Sequence, residues 1–116
     1  MNVFRASSNR RALAGVIFAL ALASAPAAVA QDRQAGRDKA AACAVCHGPL
    51  GIGQMANVPN LAGQPESYLA TQLKAYRDGR RADEIMTIVA KPLNDADIAD
   101  LSAWFASIKI NAEATD

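Results

Sequence analysis

The stretch Cys43-Ala44-Val45-Cys46-His47-Gly48-Pro49-Leu50-Gly51-Ile52-Gly53 holds both cysteines of the chain and its only histidine. The three fall within five residues. Two thiols separated by two residues suit a redox dithiol, half of a zinc site, or a thioether anchor for a prosthetic group. What surrounds the stretch decides among them.

The first thirty residues read as an export signal. Arg5, Arg10 and Arg11 make a basic start, LAGVIFALAL at 13–22 is an apolar run of h-region length, and Ala28-Val29-Ala30 is the small-x-small pattern a signal peptidase cuts. Residues 1–30 are therefore expected to be a cleaved signal peptide, with 31–116 as one domain in the periplasm. An uncleaved anchor is the rival, because residues 12–30 approach the length that spans a bilayer. Nine of those residues are Ala, however, and Pro26 interrupts them. Asn9-Arg10-Arg11 hints at a twin-arginine signal, but its flanks fit poorly. No cysteine lies near the cut to carry a lipid anchor.

Removing three arginines leaves nine basic against eleven acidic residues. That balance argues against nucleic acid, which calls for a basic stripe. Export also permits a disulfide, so compartment alone does not assign the thiols. A domain this small is marginal without a staple, a metal or a cofactor. Its large aromatics number only Tyr68, Tyr76, Trp104 and Phe105. Something other than side chains is expected to fill its middle.

The rest of the chain predicts an all-α fold with long ordered loops. Residues 36–47 are Ala-rich, with no β-branched residue before Val45, and predict a first helix ending at the motif. Residues 48–64 are punctuated by Gly48, Pro49, Gly51, Gly53, Pro59 and Gly63 and predict a loop. Pro65 suits the first position of a second helix, along which Tyr68, Leu69, Gln72, Leu73 and Tyr76 share a face. Asp78-Gly79 stops it. Residues 80–84 read as a polar linker. IMTIVA at 85–90 has β-branched residues but no partner run, so a short helix or turn is expected. The last helix carries the clearest start: Asn94 as N-cap, Asp97 at the third position, and Leu93 placed to staple onto Ile98. Ile98, Leu101, Trp104, Phe105 and Ile108 form its apolar stripe.

With these elements in place the three chemistries separate. A zinc site lacks a second CxxC or a further histidine to close a tetrahedron. A thioredoxin-like dithiol should follow a strand, and here an Ala-rich helix precedes it. A plain disulfide leaves His47 idle. A covalent haem anchor uses every residue of the motif. Cys43 and Cys46 each add to a vinyl group, and His47 sits beneath the iron as an axial ligand. A large flat ring would also supply the missing core, and make folding depend on its attachment.

The chain resembles a class I cytochrome c, of the small bacterial periplasmic monohaem branch whose domain is doubled in two-haem relatives. The resemblance runs from about Gly36 to Ile108. It is carried by Gly36 seven residues before the motif, CAVCHGPLGIG, VPNLAGQ at 58–64, YLATQLKAYRDGRR at 68–81, IMTIVAKPL at 85–93 and DIADLSAWFASI at 97–108. It implies about four short helices wrapped around one haem c, and a sixth, methionine ligand at Met86. Chain reach points the same way. Met55 lies eight residues after His47 and reaches the opposite ring face poorly, whereas Met86 arrives there easily. Thioether sulfur is soft and favours ferrous iron; the plainer alternative is Met86 as adaptable core filler. The resemblance further implies that the Pro59 carbonyl accepts a hydrogen bond from His47, that Leu61 packs on the haem, and that Gly36 and Trp104 let the first and last helices cross. Arg77, Arg80, Arg81, Lys91, Tyr76 and Gln72 are weighed as propionate or docking partners against a plain solvated face.

The expected function is a soluble, exported one-electron carrier with His47 and Met86 on the iron. No bond-making chemistry and no catalytic residue is expected. Its partners would be periplasmic redox proteins: a reductase or dehydrogenase as donor, and an oxidase or reductase as acceptor. Nucleic acid and a membrane anchor are not expected. The alternatives are a haem subunit held permanently on a periplasmic oxidoreductase, and a ligand-binding or catalytic haem with weak Met86 coordination.

Overall fold

A computed structural model describes residues 30–114. Apart from Ala30, the signal peptide expected over 1–30 lies outside the described residues. Five helices and no strand occur among those described: α1 (Arg33–Lys39), α2 (Ala41–His47), α3 (Glu66–Arg77), α4 (Met86–Ala90) and α5 (Asp95–Ser107). The all-α reading stands, with one helix more than the four expected.

The extra helix comes from the N-terminal segment. The single helix expected over 36–47 is two, and it begins earlier. Asp32 caps α1, its side chain accepting from the N–H groups of Gln34 and Ala35, so the helix starts at Arg33. At Ala40 the chain tightens: the Ala40 carbonyl accepts from both Cys43 and Ala44, each at 3.0 Å. That turn re-aims α2 and carries Cys43, Cys46 and His47 along one short helix.

The remaining elements follow their sequence signals closely. Pro65 caps α3 rather than opening it, and Gly79 follows with a positive φ of 75°. Asn94 and Asp97 close a reciprocal capping box at α5. Ile98, Leu101 and Phe105 are buried there, Trp104 is half-buried, and Ile108 falls just past the helix end. Leu69 is the buried residue of the α3 stripe, while Tyr68 stands 47% exposed.

α5 is the spine, packing on both α1 and α3, while α4 touches only α3 among the helices. The α1–α5 crossing is close. A Cβ added at Gly36 would overlap the Asp100 carbonyl and lie 2.9 Å from the Trp104 Cβ. An ionic clasp beside it joins the same helices: the Lys39 ammonium binds Asp100 at 2.7 Å and Asp97 at 2.9 Å. The Asp32 N–H donates to Asp100 at 2.8 Å. The core is small. Ala40, Leu69, Leu101 and Phe105 form its centre, with Cys43, Leu61, Leu73, Leu93 and Trp104 packed against it.

Candidate functional site

The site is assembled by α2 and the two loops around it. Cys43 and Cys46 are unbonded thiols, both half-buried. Cys43 packs against the core, and its burial pushes the thiol pKa up. A nucleophilic dithiol needs the opposite, a stabilised thiolate, so this environment disfavours redox-exchange chemistry at Cys43. Among the described residues no group of three or more His, Cys, Asp or Glu side chains gathers as a ligand set.

His47 ends α2 and is 7% exposed. Its Nδ1 lies 2.8 Å from the Pro59 carbonyl oxygen. A carbonyl only accepts, so the proton is assigned to Nδ1, leaving the lone pair on Nε2. The tautomer is thereby the one a metal-ligating histidine uses, with its other nitrogen oriented by a carbonyl.

The loop holds Pro59 in place by three hydrogen bonds. The Asn60 side-chain oxygen accepts from the Gly53 N–H at 2.8 Å, and the Gly51 carbonyl accepts from Leu61 at 2.7 Å and Ala62 at 3.1 Å. Gly51 cannot be replaced freely: its φ is 71°, and an added Cβ would lie 2.8 Å from the Phe105 ring. Sequence reading passed over Asn60, although its place between two of the residues singled out was a usable signal.

Met86 is half-buried at the first position of α4, whereas Met55 is 51% exposed in the Gly-rich loop. The segment read as a polar linker has more structure than its composition suggests. The Asp83 carboxylate accepts from the N–H groups of Met86 at 2.8 Å and Ile85 at 3.0 Å, which hold its pKa below the usual carboxylate range. Asp83 and Thr87 were missed. An aspartate three residues ahead of a helical Met was the available signal.

Most of the basic candidates are engaged within the chain. Arg77 pairs with Asp95 and Asp78 and donates to the Leu93 carbonyl. Arg80 pairs with Asp78, while Arg81 stacks 4.6 Å over the Tyr76 ring and bonds Gln72. Lys91 is exposed. Leu61 is half-buried against the core.

These residues fit a covalent haem by the chemistry of their donors: two free thiols at vinyl-bridging spacing, a buried imidazole with its Nε2 uncommitted, and a thioether on a separate helix. Apolar side chains flank both expected ligands in sequence. Val45 stands 79% exposed beside His47, and Ile85 and Ile88 stand 62% and 74% exposed beside Met86.

Comparison with known proteins agrees. Residues 34–109 match the Cytochrome c family. The chain is 46% identical over 81 residues to cytochrome c-554(548) of Halomonas halodenitrificans, covering 67% of this chain and 98% of that one. It is 40% identical over 101 residues to the thiosulfate dehydrogenase electron acceptor of Thiomonas intermedia, covering 86% of this chain and 45% of that protein. The fold is similar to the crystal structure of reduced cytochrome c4 from Pseudomonas stutzeri, with a TM-score of 0.65 and 39% identity over 69% of this chain and 47% of the other. The chain thus spans nearly all of the first relative and less than half of the other two.

Proposed function

Because this chain belongs to the cytochrome c family, an electron-transfer family with haem c as its cofactor, we propose that it is an exported, freely diffusing one-electron carrier with His47 and Met86 as axial ligands. When bound, the haem supplies an iron that alternates between ferrous and ferric states, giving and taking one electron. The chain's own residues set the conditions for that exchange. Cys43 and Cys46 anchor the ring through thioether bonds, and Leu61 packs beside it. His47 offers Nε2 to the iron, and the Pro59 carbonyl fixes the imidazole through Nδ1, raising the ligand's basicity. Met86 offers a soft sulfur from the other side and favours the reduced state.

The observation that carries the reading is the 2.8 Å approach of His47 Nδ1 to Pro59, beside two unbonded thiols. With His47 and Met86 both holding the iron, no position would remain for a substrate, and the protein would act by setting the potential and by docking. The export reading adds cleavage after Ala30 and residence in the periplasm, with redox proteins as donor and acceptor. Among the described residues no helix is long and apolar enough to cross a membrane.

A haem-stained denaturing gel with a pyridine haemochrome spectrum tests the covalent haem. Met86→Ala tests the sixth ligand: it should lower the potential and let carbon monoxide bind the ferrous form rapidly. If Met55→Ala does so instead, the ligand assignment is wrong. The similarity to an electron acceptor of thiosulfate dehydrogenase favours a second reading, a haem subunit held on an oxidoreductase. Size-exclusion of a native extract separates the two, since a free carrier runs near monomer mass and a subunit with its complex.

A further inference from the structure

The helix that presents Met86 has little of its own to hold it. Helix α4 has five residues, far fewer than an isolated helix needs to persist in water. Among the helices it touches only α3, and only Ala90 at its far end is buried. The Met86 end is exposed on both sides, at Ile85 and Ile88. Contacts with the rest of the chain therefore leave the end that carries the thioether to local hydrogen bonds and to the haem.

The hydrogen bonds come from one residue. The Asp83 carboxylate accepts from Met86 N–H at 2.8 Å and from Ile85 N–H at 3.0 Å. The Asp83 N–H donates to the Thr87 hydroxyl at 3.2 Å, and the Asp83 carbonyl accepts from Thr87 N–H at 3.1 Å. Asp83 thus engages Ile85, Met86 and Thr87 at once, a reciprocal box of bonds in the turn that leads into α4. In this box the bonded backbone amide belongs to the proposed ligand itself.

We propose that Asp83, supported by Thr87, is the positioning residue for Met86 and determines how firmly the sixth ligand holds against exogenous competitors. The proposal rests on the reading of Met86 as ligand. The sulfur can leave the iron by rotation of the Met86 side chain or by a shift of the first turn of α4, and the Asp83 bonds act on the second route. Opening the turn strips two N–H groups from Asp83, so the Asp83 bonds oppose ligand loss. The rest of the domain is held independently by the α1–α5 crossing and its clasp, far along the chain from Asp83.

The test uses ferric holoprotein and imidazole as the competing ligand, titrated optically with loss of the iron–methionine charge-transfer band. Asp83→Ala should tighten apparent imidazole binding about fivefold, the factor that corresponds to loss of an N-cap. Asp83→Asn keeps an accepting oxygen and should bind imidazole as the unmodified protein does. Asn94→Ala removes a comparable cap from α5; it should lower thermal stability without changing imidazole affinity, which separates positioning from general stability. Unchanged affinity in Asp83→Ala, while Met86→Ala binds imidazole much more tightly, overturns the proposal and leaves the ligand reading standing. Unchanged affinity in Met86→Ala overturns both. Should Asp83→Ala yield no holoprotein, amide exchange on the unmodified protein decides: Met86 N–H must be protected relative to Ile88 N–H, and exchange at the unstructured rate sinks the idea.

Discussion

His47 Nδ1 and the Pro59 carbonyl oxygen stand 2.8 Å apart, although twelve residues separate them in the chain. The acceptor is a backbone atom, so its position is set by the loop. Within that loop the Asn60 side chain holds the Gly53 N–H.

That arrangement makes Asn60 a lever on the potential. Asn60→Leu removes the tie, lets the Pro59 carbonyl drift, and weakens the hydrogen bond that makes the imidazole basic. The midpoint potential should rise by about 20–60 mV, the one-electron equivalent of a hydrogen bond contributing about 0.5–1.5 kcal/mol. Asn60→Asp keeps the acceptor and should not raise it. Spectroelectrochemical titration of the three proteins is the check.

Gly36 is expected to tolerate no side chain. A Cβ there overlaps the Asp100 carbonyl, which is backbone and cannot swing aside. Gly36→Ala should cost about 1–3 kcal/mol or more as α1 is pushed off α5. For a domain of this size each kcal/mol lowers Tm by about 4–8 °C, so the loss is readily seen in a circular-dichroism melt of the holoprotein. An unchanged Tm would mean that the helices do not cross this closely.

The α5 cap gives a smaller, calibrated effect. Asn94→Ala frees the Asp97 N–H at the start of the helix that carries much of the core. A loss of about 1 kcal/mol is expected, with Asn94→Asp nearly neutral. Denaturant unfolding with a constant m-value measures it directly.

Acid should weaken the α1–α5 clasp. Lys39, and then the Asp32 N–H, hold the Asp100 carboxyl below the usual carboxylate range; Lys39 and the Asn94 N–H do the same for Asp97. A carboxylate whose folded pKa is depressed stabilises the fold above its unfolded pKa, about 3.9. That stabilisation is lost as pH falls through the lower folded value. Tm should therefore be insensitive to these groups between about pH 5 and pH 7 and fall below about pH 4. Asp100→Asn should lower Tm at neutral pH and flatten the acid limb. On the alkaline side Lys39, raised by Asp100 and then Asp97, loses its contribution as pH climbs through its elevated pKa.

Removing the haem anchor should unmake the fold. A core centred on Ala40, Leu69, Leu101 and Phe105 is small for an independent domain. Cys43→Ala with Cys46→Ala should give a chain without a cooperative melt or a near-ultraviolet dichroism signal. Persistence of both in the haem-free double variant would show that the helices carry their own stability.

What the sequence determined by itself was local. Asn94 and Asp97 marked the start of α5, Asp78-Gly79 ended α3, and the CxxCH spacing admitted a thioether anchor, because caps, turns and thioether reach act over a few residues. The missing strand and missing further ligands around the motif then set the dithiol and zinc aside. Only the tertiary structure decided what depends on distant partners. The break at Ala40 and the early start at Asp32 go with α1 lying on α5, where Asp100 takes the Asp32 N–H. Arg77, Arg80 and Arg81, weighed as partners for a haem or a docking protein, pair along the surface with Asp78, Asp95, Gln72 and Tyr76, because the fold put acceptors within reach, while Lys91 stays exposed. The linker ahead of Met86 gained order from one aspartate closing onto three following residues, its carboxylate on Ile85 and Met86 and its backbone N–H on Thr87. A polar composition is compatible with a loop or a cap. The choice between them was made where the backbone amides needed an acceptor.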